Sequence, residues 1–488
     1  MIDFLNWLNG MLWGLPLIAL MVITGLYFTV RSGFFQFRHF GWIMKHTAGK
    51  ITSKDDSGDD KGMLTPFEAI CTAVGGTVGF GNIAGVATAV ASGGPGAVLW
   101  MWLSASLGLI LKQVEVTLGC YYRSTNDKGD KYGGPTYYMQ KGLGEKRKWG
   151  SWWKIPAVIF GIGIFSTFFV TSSTLTASEV VAGAFSIPDL TLGGMVIEGE
   201  ILVGIALCIV TYIITAGGTR GVAAIFSKLV PFMSIIYILM GIAMIVVNID
   251  RVPDAVATIF KGAFTGHAAV GGFAGSVVSG MIQTGMARSV YSNEAGWGTS
   301  PMVHASAKTK HPVEQGLWGS FEVFFDTFVV CSITALSVIL SGMWTDGTTG
   351  GALALGAFGQ SFGFIGSALL AIIMIIFTVT TSGGWFAYYL AILEHMNMKE
   401  NALSKLLMKL FYAVRALPGL LWTIYLVKTG NTGFIWTVVD ITSAIPTFVN
   451  VFVILILSGD YFMLLKDYKA RYLNQGKVDE NIKLFYED

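Results

Sequence analysis

The chain has 488 residues, of which 53% are hydrophobic and 13% charged, with 61 glycines and a formal net charge of +2. Charged residues at about half their usual share exclude an ordinary soluble domain, and a net charge near zero carries no sign of a nucleic-acid partner. The four cysteines (Cys71, Cys120, Cys208 and Cys331) lie far apart in apolar segments without CxxC spacing, so they read as small buried hydrophobes, not disulfides or metal ligands.

A helix needs about 20 apolar residues to cross a bilayer core of about 30 Å. Eleven segments qualify: 11–30, 64–91, 95–122, 155–185, 200–216, 229–249, 268–297, 314–341, 364–393, 405–427 and 432–465. They are numbered here from span zero to span ten. The expected class is an all-α polytopic membrane protein forming one transport unit over 1–488. It comprises an extra first helix (11–30), five helices over 64–249, five more over 268–465 and a cytoplasmic tail over 466–488.

Span zero is not a cleaved signal peptide, because no Lys or Arg precedes Arg31 and no small-residue cleavage site follows. Residues 1–10 are therefore expected to stay outside. Residues 50–62 (KITSKDDSGDDKG) read as a polar loop. Span one carries TAVGGTVGFGNIAGVATAV over 72–90, in which Gly75, Gly76, Gly79 and Gly81 are helix breakers at mid-membrane. An unpaired backbone group in lipid costs several kcal/mol, so such a break must hold something polar. In span two, Lys112 and Glu115 stand three apart and are expected to pair on one helix face. Residues 253–264 suit a short amphipathic helix on the outer surface.

Span six is also interrupted, over 283–301 (QTGMARSVYSNEAGWGTSP), with Gln283, Gly285, Gly296, Gly298 and Pro301 in the expected break. Arg288 and Glu294 flank it and are candidates for a gating pair on the cytoplasmic side. Span seven places Glu322 and Asp326 four residues apart, able to face the bundle interior. Span eight contains FTVTTSGGW over 377–385, whose adjacent hydroxyls and carbonyls form a hard oxygen site suited to sodium. The alternative is hydroxyls bonding back to the preceding turn. Asp440 in span ten is a candidate gate or proton-sensing group.

Orientation follows from lysine and arginine. With the amino terminus outside, 26 of the 32 fall in inside loops or the tail, and only Arg251, Lys261 and Lys428 lie outside. Two sets of five crossings run in opposite directions, so any internal repeat is inverted, and matching breaks in spans one and six point to a binding site between them. A broken helix exposes N–H groups that suit a carboxylate and carbonyls that suit an ammonium or sodium ion. A zwitterion with a monovalent cation therefore fits, with no buried charged side chain required in the site, and 72–90 contains no ionisable residue.

Four motifs, GNIAGVATA (81–89), GGPGAVLWMW (93–102), GGPTYYMQKGL (133–143) and NEAGWGTSPMVHASAKT (293–309), resemble the alanine or glycine:cation symporters, also called sodium:alanine symporters. The resemblance covers nearly the whole chain. It implies a LeuT-type fold with a five-plus-five inverted repeat, an extra first helix, and transport of small amino acids with sodium or sometimes protons. By the same likeness, the carbonyls of Gly75 and Val78 would hold sodium with the Thr380 and Thr381 hydroxyls and the Phe377 carbonyl. Amides around Thr77, Gly79, Phe80 and Gly81 would hold the substrate carboxylate. Asn82 matches a position that helps a second ion in some relatives, and Trp385 a tryptophan that walls the pocket. Phe80 stands where the family often has threonine. Thr167 stands where a glutamine is usual, with Phe165, Phe168 and Phe169 around it.

GFGNIAG is close to a dinucleotide GxGxxG but has no strand before it and no βαβ unit around it. No Walker A, HExxH or GxSxG sequence is present, so ATP drive and a membrane hydrolase have no visible basis, and no enzyme or organic cofactor is expected. Two unlike breaks in one chain favour an occluded site over a channel. The reading is a multi-pass plasma-membrane symporter in contact with lipid, N-terminus outside and C-terminus cytoplasmic. It would import a small neutral amino acid with sodium. Two alternatives stay open: proton coupling, with Asp440 or Glu68 as carrier, and a non-transporting amino-acid sensor.

Overall fold

The computed structural model describes residues 2–51, 64–126, 129–169, 173–265, 274–397, 402–430 and 432–486. The expected polar loop over 50–62 lies outside them from residue 52 on, as do residues 268–273 at the start of span six. The described chain is almost entirely helical, with two small antiparallel pairs, Ser124–Thr125 with Lys131–Tyr132 and Leu190–Leu192 with Met195–Ile197. Seven helices are long and apolar enough to cross a membrane, or nine if each of two sharply bent pairs is one span, among the described residues. Span four (Gly199–Thr215) falls short of that length, and the described helix of span six (Ala274–Asn293) is long enough but not among the apolar seven.

Span one starts at Pro66 because Thr65 and Glu68 form a capping box: the Thr65 hydroxyl accepts from the Glu68 amide, and the Glu68 carboxylate accepts from the Thr65 amide. Glu68 thereby caps the start of span one and does not line the cavity described below. The helix Pro66–Thr77 stops at Val78, which is extended, and a wide π turn over Gly81–Gly85 leads into Val86–Gly93. The two halves are bent by 48°. Span two (Ala97–Tyr121) packs along span seven (Pro312–Val323, a π turn over Phe324–Cys331, then Ser332–Ser341) and along the first part of span six. Span eight, the last part of Gly350–Asn397, packs on spans one, three and five. Gly363 breaks that helix with φ +60°, so the part after it begins where the sequence places the span.

Several expectations need correction. Residues 2–12 are helical (Ile2–Leu12) and join Leu15–Arg31, so the first segment is longer than 11–30. The last segment does not run to residue 465. Thr432–Ile456 ends at Leu457, and Ser458–Tyr472 is a separate helix whose Asp460 pairs with Lys146 at 2.6 Å and Arg147 at 2.8 Å. Span nine is itself broken, Ala402–Val414 meeting Leu417–Thr429 at 47°. The short amphipathic helix expected over 253–264 is present as Val252–Thr265.

Candidate functional site

The two breaks meet at one cavity. Gly76, Thr77, Gly79, Phe80 and Gly81 of span one line it on one side, and Tyr291, Glu294 and Trp297 of span six on another. Thr167 and Phe168 of span three and Thr381, Ser382, Trp385 and Tyr389 of span eight complete the near walls. About 850 Å³ of empty space lies inside, part of it open to solvent.

Glycine in span one allows close approach. A Cβ at Gly76 would sit 2.6 Å from the Tyr388 hydroxyl, and one at Gly79 would overlap Thr381 Oγ1. The freed Gly79 amide donates to Asn82 Oδ1 at 2.8 Å, so Asn82 is part of the break's own scaffold. Asn82 does not line the cavity; its Nδ2 donates to Asp326 Oδ1 at 2.5 Å, behind the break. Asp326 also accepts from Ser292 at 2.9 Å and Thr327 at 2.8 Å. Span seven is thereby pinned to both breaks.

The break in span six is shorter and later than expected. Ala274–Asn293 is continuous through Gly285, and the helix is lost only between Asn293 and Pro301. Gln283 and Gly285, expected in the substrate pocket, therefore lie on unbroken helix, and neither lines the cavity. Gly285 serves packing instead: a Cβ there would stand 2.5 Å from the Ala97 carbonyl of span two. The turn itself uses left-handed backbone at Glu294 (φ +53°), Gly296 (φ +88°) and Gly298 (φ +80°).

The expected ion site is distributed behind and beside the cavity. A Cβ at Gly75 would lie 3.3 Å from Thr380 Cβ, so Gly75 and Thr380 are neighbours. The Thr380 hydroxyl donates to the carbonyls of Ile376 (3.0 Å) and Phe377 (3.1 Å), which is the turn-internal bond, and keeps its lone pairs. Thr381 Oγ1 is buried and has no hydrogen-bond partner among the described residues. An orphaned buried hydroxyl costs about 1–3 kcal/mol unless a ligand completes it. Val78, Phe377 and Thr380 are buried and do not line the cavity.

The charged candidates pair differently from the sequence expectation. Arg288 bonds Asp440 at 2.7 Å and does not pair with Glu294. The pair joins the half of span six that follows the helix Val252–Thr265 to span ten. Lys112 does not pair with Glu115. Its ammonium donates to the Asn293 carbonyl at 2.8 Å and faces Glu322 at 3.4 Å, while Glu115 accepts from Asn450. Outside the membrane, His311 caps span seven by accepting from the Val313 amide at 3.1 Å. Burial pushes its pKa down to about 4, against the raising effect of Asp467.

Sequence reasoning missed Tyr291 and Trp297 as walls, though both sit in the same motif as Glu294. The Tyr291 ring packs on Phe80 at 5.9 Å, and the Trp297 ring on Trp385 at 5.2 Å. It also missed Arg415, at the bend of span nine, whose signal was a cation in an apolar run. Thr167 does face the cavity, and its hydroxyl stands 3.0 Å from that of Tyr389.

Comparison with known proteins follows this geometry. A model of the "Sodium:alanine symporter family" matches residues 1–483. A Methanococcus maripaludis protein named "Sodium/alanine symporter AgcS" is 31% identical over 98% of this chain and 99% of its own. A Bacillus subtilis protein named "Probable sodium/glutamine symporter GlnT" is 32% identical over 98% of this chain and 92% of its own. Among solved structures, MhsT in complex with L-phenylalanine superposes with a TM-score of 0.56 at 15% identity, over 82% of this chain and 90% of that one. That likeness establishes a LeuT-type fold.

Proposed function

The chain belongs to the sodium:alanine symporter family and is a multi-pass membrane protein, a cation-coupled amino-acid symporter and not an enzyme; from that premise we propose that it imports a small neutral amino acid, with sodium as the coupling ion, by alternating access. One observation carries the reading: residues of both helix breaks line a single cavity, where the ends of the half-helices can complement a zwitterion. The substrate carboxylate would sit at the amides of Phe80 and Gly81 and, in exchange for Asn82 Oδ1, that of Gly79, with Thr77, Trp385 and Thr167 as walls. Sodium would take the carbonyls of Gly75, Val78 and Phe377 and the hydroxyls of Thr380 and Thr381. The orphaned Thr381 hydroxyl supports that placement. Alanine and glutamine, in the names of two relatives, differ in size; of the span-three phenylalanines only Phe168 lines the cavity, beside Thr167, Ser173 and Thr174.

Sodium entry down a potential of 100 mV releases about 2.3 kcal/mol, enough for about fifty-fold accumulation per ion. Arg288 and Asp440 would latch the outer side, while Asp326 would couple the two breaks. The orientation, with the amino terminus outside, rests on the distribution of lysine and arginine.

The deciding experiment is uptake of labelled alanine into proteoliposomes under an imposed sodium gradient, with unlabelled amino acids as competitors. Sodium-dependent accumulation blocked by small neutral competitors is expected. Binding without accumulation would instead mark a sensor. Accumulation driven equally by a proton gradient without sodium would make protons the coupling ion.

A further inference from the structure

Glu294 is the one carboxylate among the cavity-lining residues. Its backbone is held left-handed, at a cost of about 1 kcal/mol for a residue other than glycine. The Thr299 hydroxyl donates to Oε2, and no hydrogen bond to Oε1 is found among the described residues. The turn therefore aims an acid into the space where the two breaks meet.

The surroundings of Glu294 make a full negative charge there hard to sustain. Three more carboxylates lie nearby and are wholly buried: Glu115 of span two, and Glu322 and Asp326 of span seven. The cations facing them are Lys112 and His304. Lys112 is already shared between the Asn293 carbonyl and Glu322. His304 turns Nε2 toward Glu322 at 3.5 Å and Nδ1 toward the Gln315 amide at 2.7 Å. Even with His304 charged, four acids face two cations. A second observation agrees: Glu115 Oε2 is buried with no hydrogen-bond partner among the described residues.

Span eight contributes only the phenols Tyr388 and Tyr389 near Glu294, and span six the phenol of Tyr291. Arg415 lines the cavity but is taken up by Thr215 and the carbonyls of Tyr212 and Tyr412. No ion pair of Glu294 with a cation is found among the described residues. Unpaired charge in a low-dielectric interior is removed by protonation unless a counter-ion arrives.

We propose that Glu294 is a proton-exchange subsite for the substrate's ammonium group. The empty cavity holds Glu294 as the neutral acid. When an amino acid seats its carboxylate on the span-one amides, its ammonium comes to Oε1, and the Glu294 proton leaves to water in the cavity. The products are a carboxylate–ammonium pair and one released proton, so charge and atoms balance. Protons and substrate thus compete for Glu294, and ligands lacking a free ammonium lose this subsite. Glu115, Glu322 and Asp326 do not line the cavity and remain the background that makes the exchange favourable.

The inference rests on the reading of the cavity as an amino-acid site, and the experiment separates the two. Full-length protein in detergent with sodium is titrated with L-alanine, glycine and L-glutamine by calorimetry, in buffers of different ionisation enthalpy, between pH 5.5 and 8.5. The expected result is a buffer-dependent heat equal to release of up to about one proton per ligand, with affinity about threefold to tenfold weaker at the acid end. Glu294→Gln should bind with no buffer dependence and a flat pH profile, while Glu322→Gln keeps the release. Binding by the wild-type protein without proton release at any pH overturns the inference and leaves the amino-acid reading intact. Release retained in Glu294→Gln, or lost only in Glu322→Gln, overturns it as well. No binding of any of the three overturns the parent reading. Should Glu294→Gln not fold, the wild-type proton count still decides.

Discussion

The two helix breaks solve the same problem with different chemistry. The span-one break is neutral: its glycines let backbone groups reach the cavity, and its one side-chain brace is Asn82. The span-six break is charged: Lys112 reaches the carbonyl at the end of the first half-helix, where the dipole is negative, and Glu294 occupies the turn. Asp326 touches both, through Asn82 and through Ser292. A neutral cradle can accept and release a zwitterion without moving a buried charge, whereas a charged turn can respond to one.

The largest effect that would break this comparison comes from filling the neutral cradle. Gly79→Leu forces a side chain into Thr381, so substrate binding should fall below detection while size-exclusion behaviour stays that of the wild type. Preserved binding would mean the cradle is not where the ligand sits. Next comes the charged side. Lys112→Met leaves Glu322 buried without its cation, which should destabilise the fold by about 3–5 kcal/mol, read as a lowered unfolding midpoint. Adding Glu322→Gln should recover part of that loss, and no loss in the single variant would show that the lysine is not holding the turn.

Smaller effects sharpen the picture. Thr381→Ala, with Thr380→Ala as its companion, should raise the sodium concentration for half-maximal uptake about tenfold, by removing hydroxyl ligands worth about 1–1.5 kcal/mol. An unchanged sodium dependence would move the ion elsewhere. The smallest effect lies outside the membrane, at His311. Its folded-state pKa, about 4, is below the ordinary 6.5, so folding favours the neutral ring. Its contribution is complete above about pH 6.5 and is lost as pH falls toward 4, at up to about 1 kcal/mol per pH unit. His311→Asn keeps a capping acceptor, and its unfolding midpoint should depend less on pH over that window than the wild type's. Equal pH slopes would assign the acid sensitivity to other groups.

Much of this was legible in the chain because glycine in an apolar run is a strong signal. The first break was readable to within a few residues: Gly75 and Gly76, expected as breakers, lie on the helix Pro66–Thr77, and helical form is lost only after Thr77, at Val78. The second was misplaced toward Gln283 and Gly285 because glycine has two uses. At Gly285 it makes room for the Ala97 carbonyl within an intact helix, and at Gly296 and Gly298 it supplies left-handed backbone. Sequence cannot separate packing from conformation when the residue type is the same.

Charge partners show the same limit. Local spacing proposed Lys112 with Glu115 and Arg288 with Glu294, yet the partners found are Glu322 and Asp440, more than 150 residues away in each case. Composition, hydropathy and motif were enough for the membrane class, the family and the neighbourhood of the first break, because those depend on what each segment can do alone in lipid. Which acid met which base, which glycine was a hinge, and that Glu294 faced the cavity between the breaks were decided only when distant helices packed together, because a buried charge takes its partner from the nearest neighbour in space.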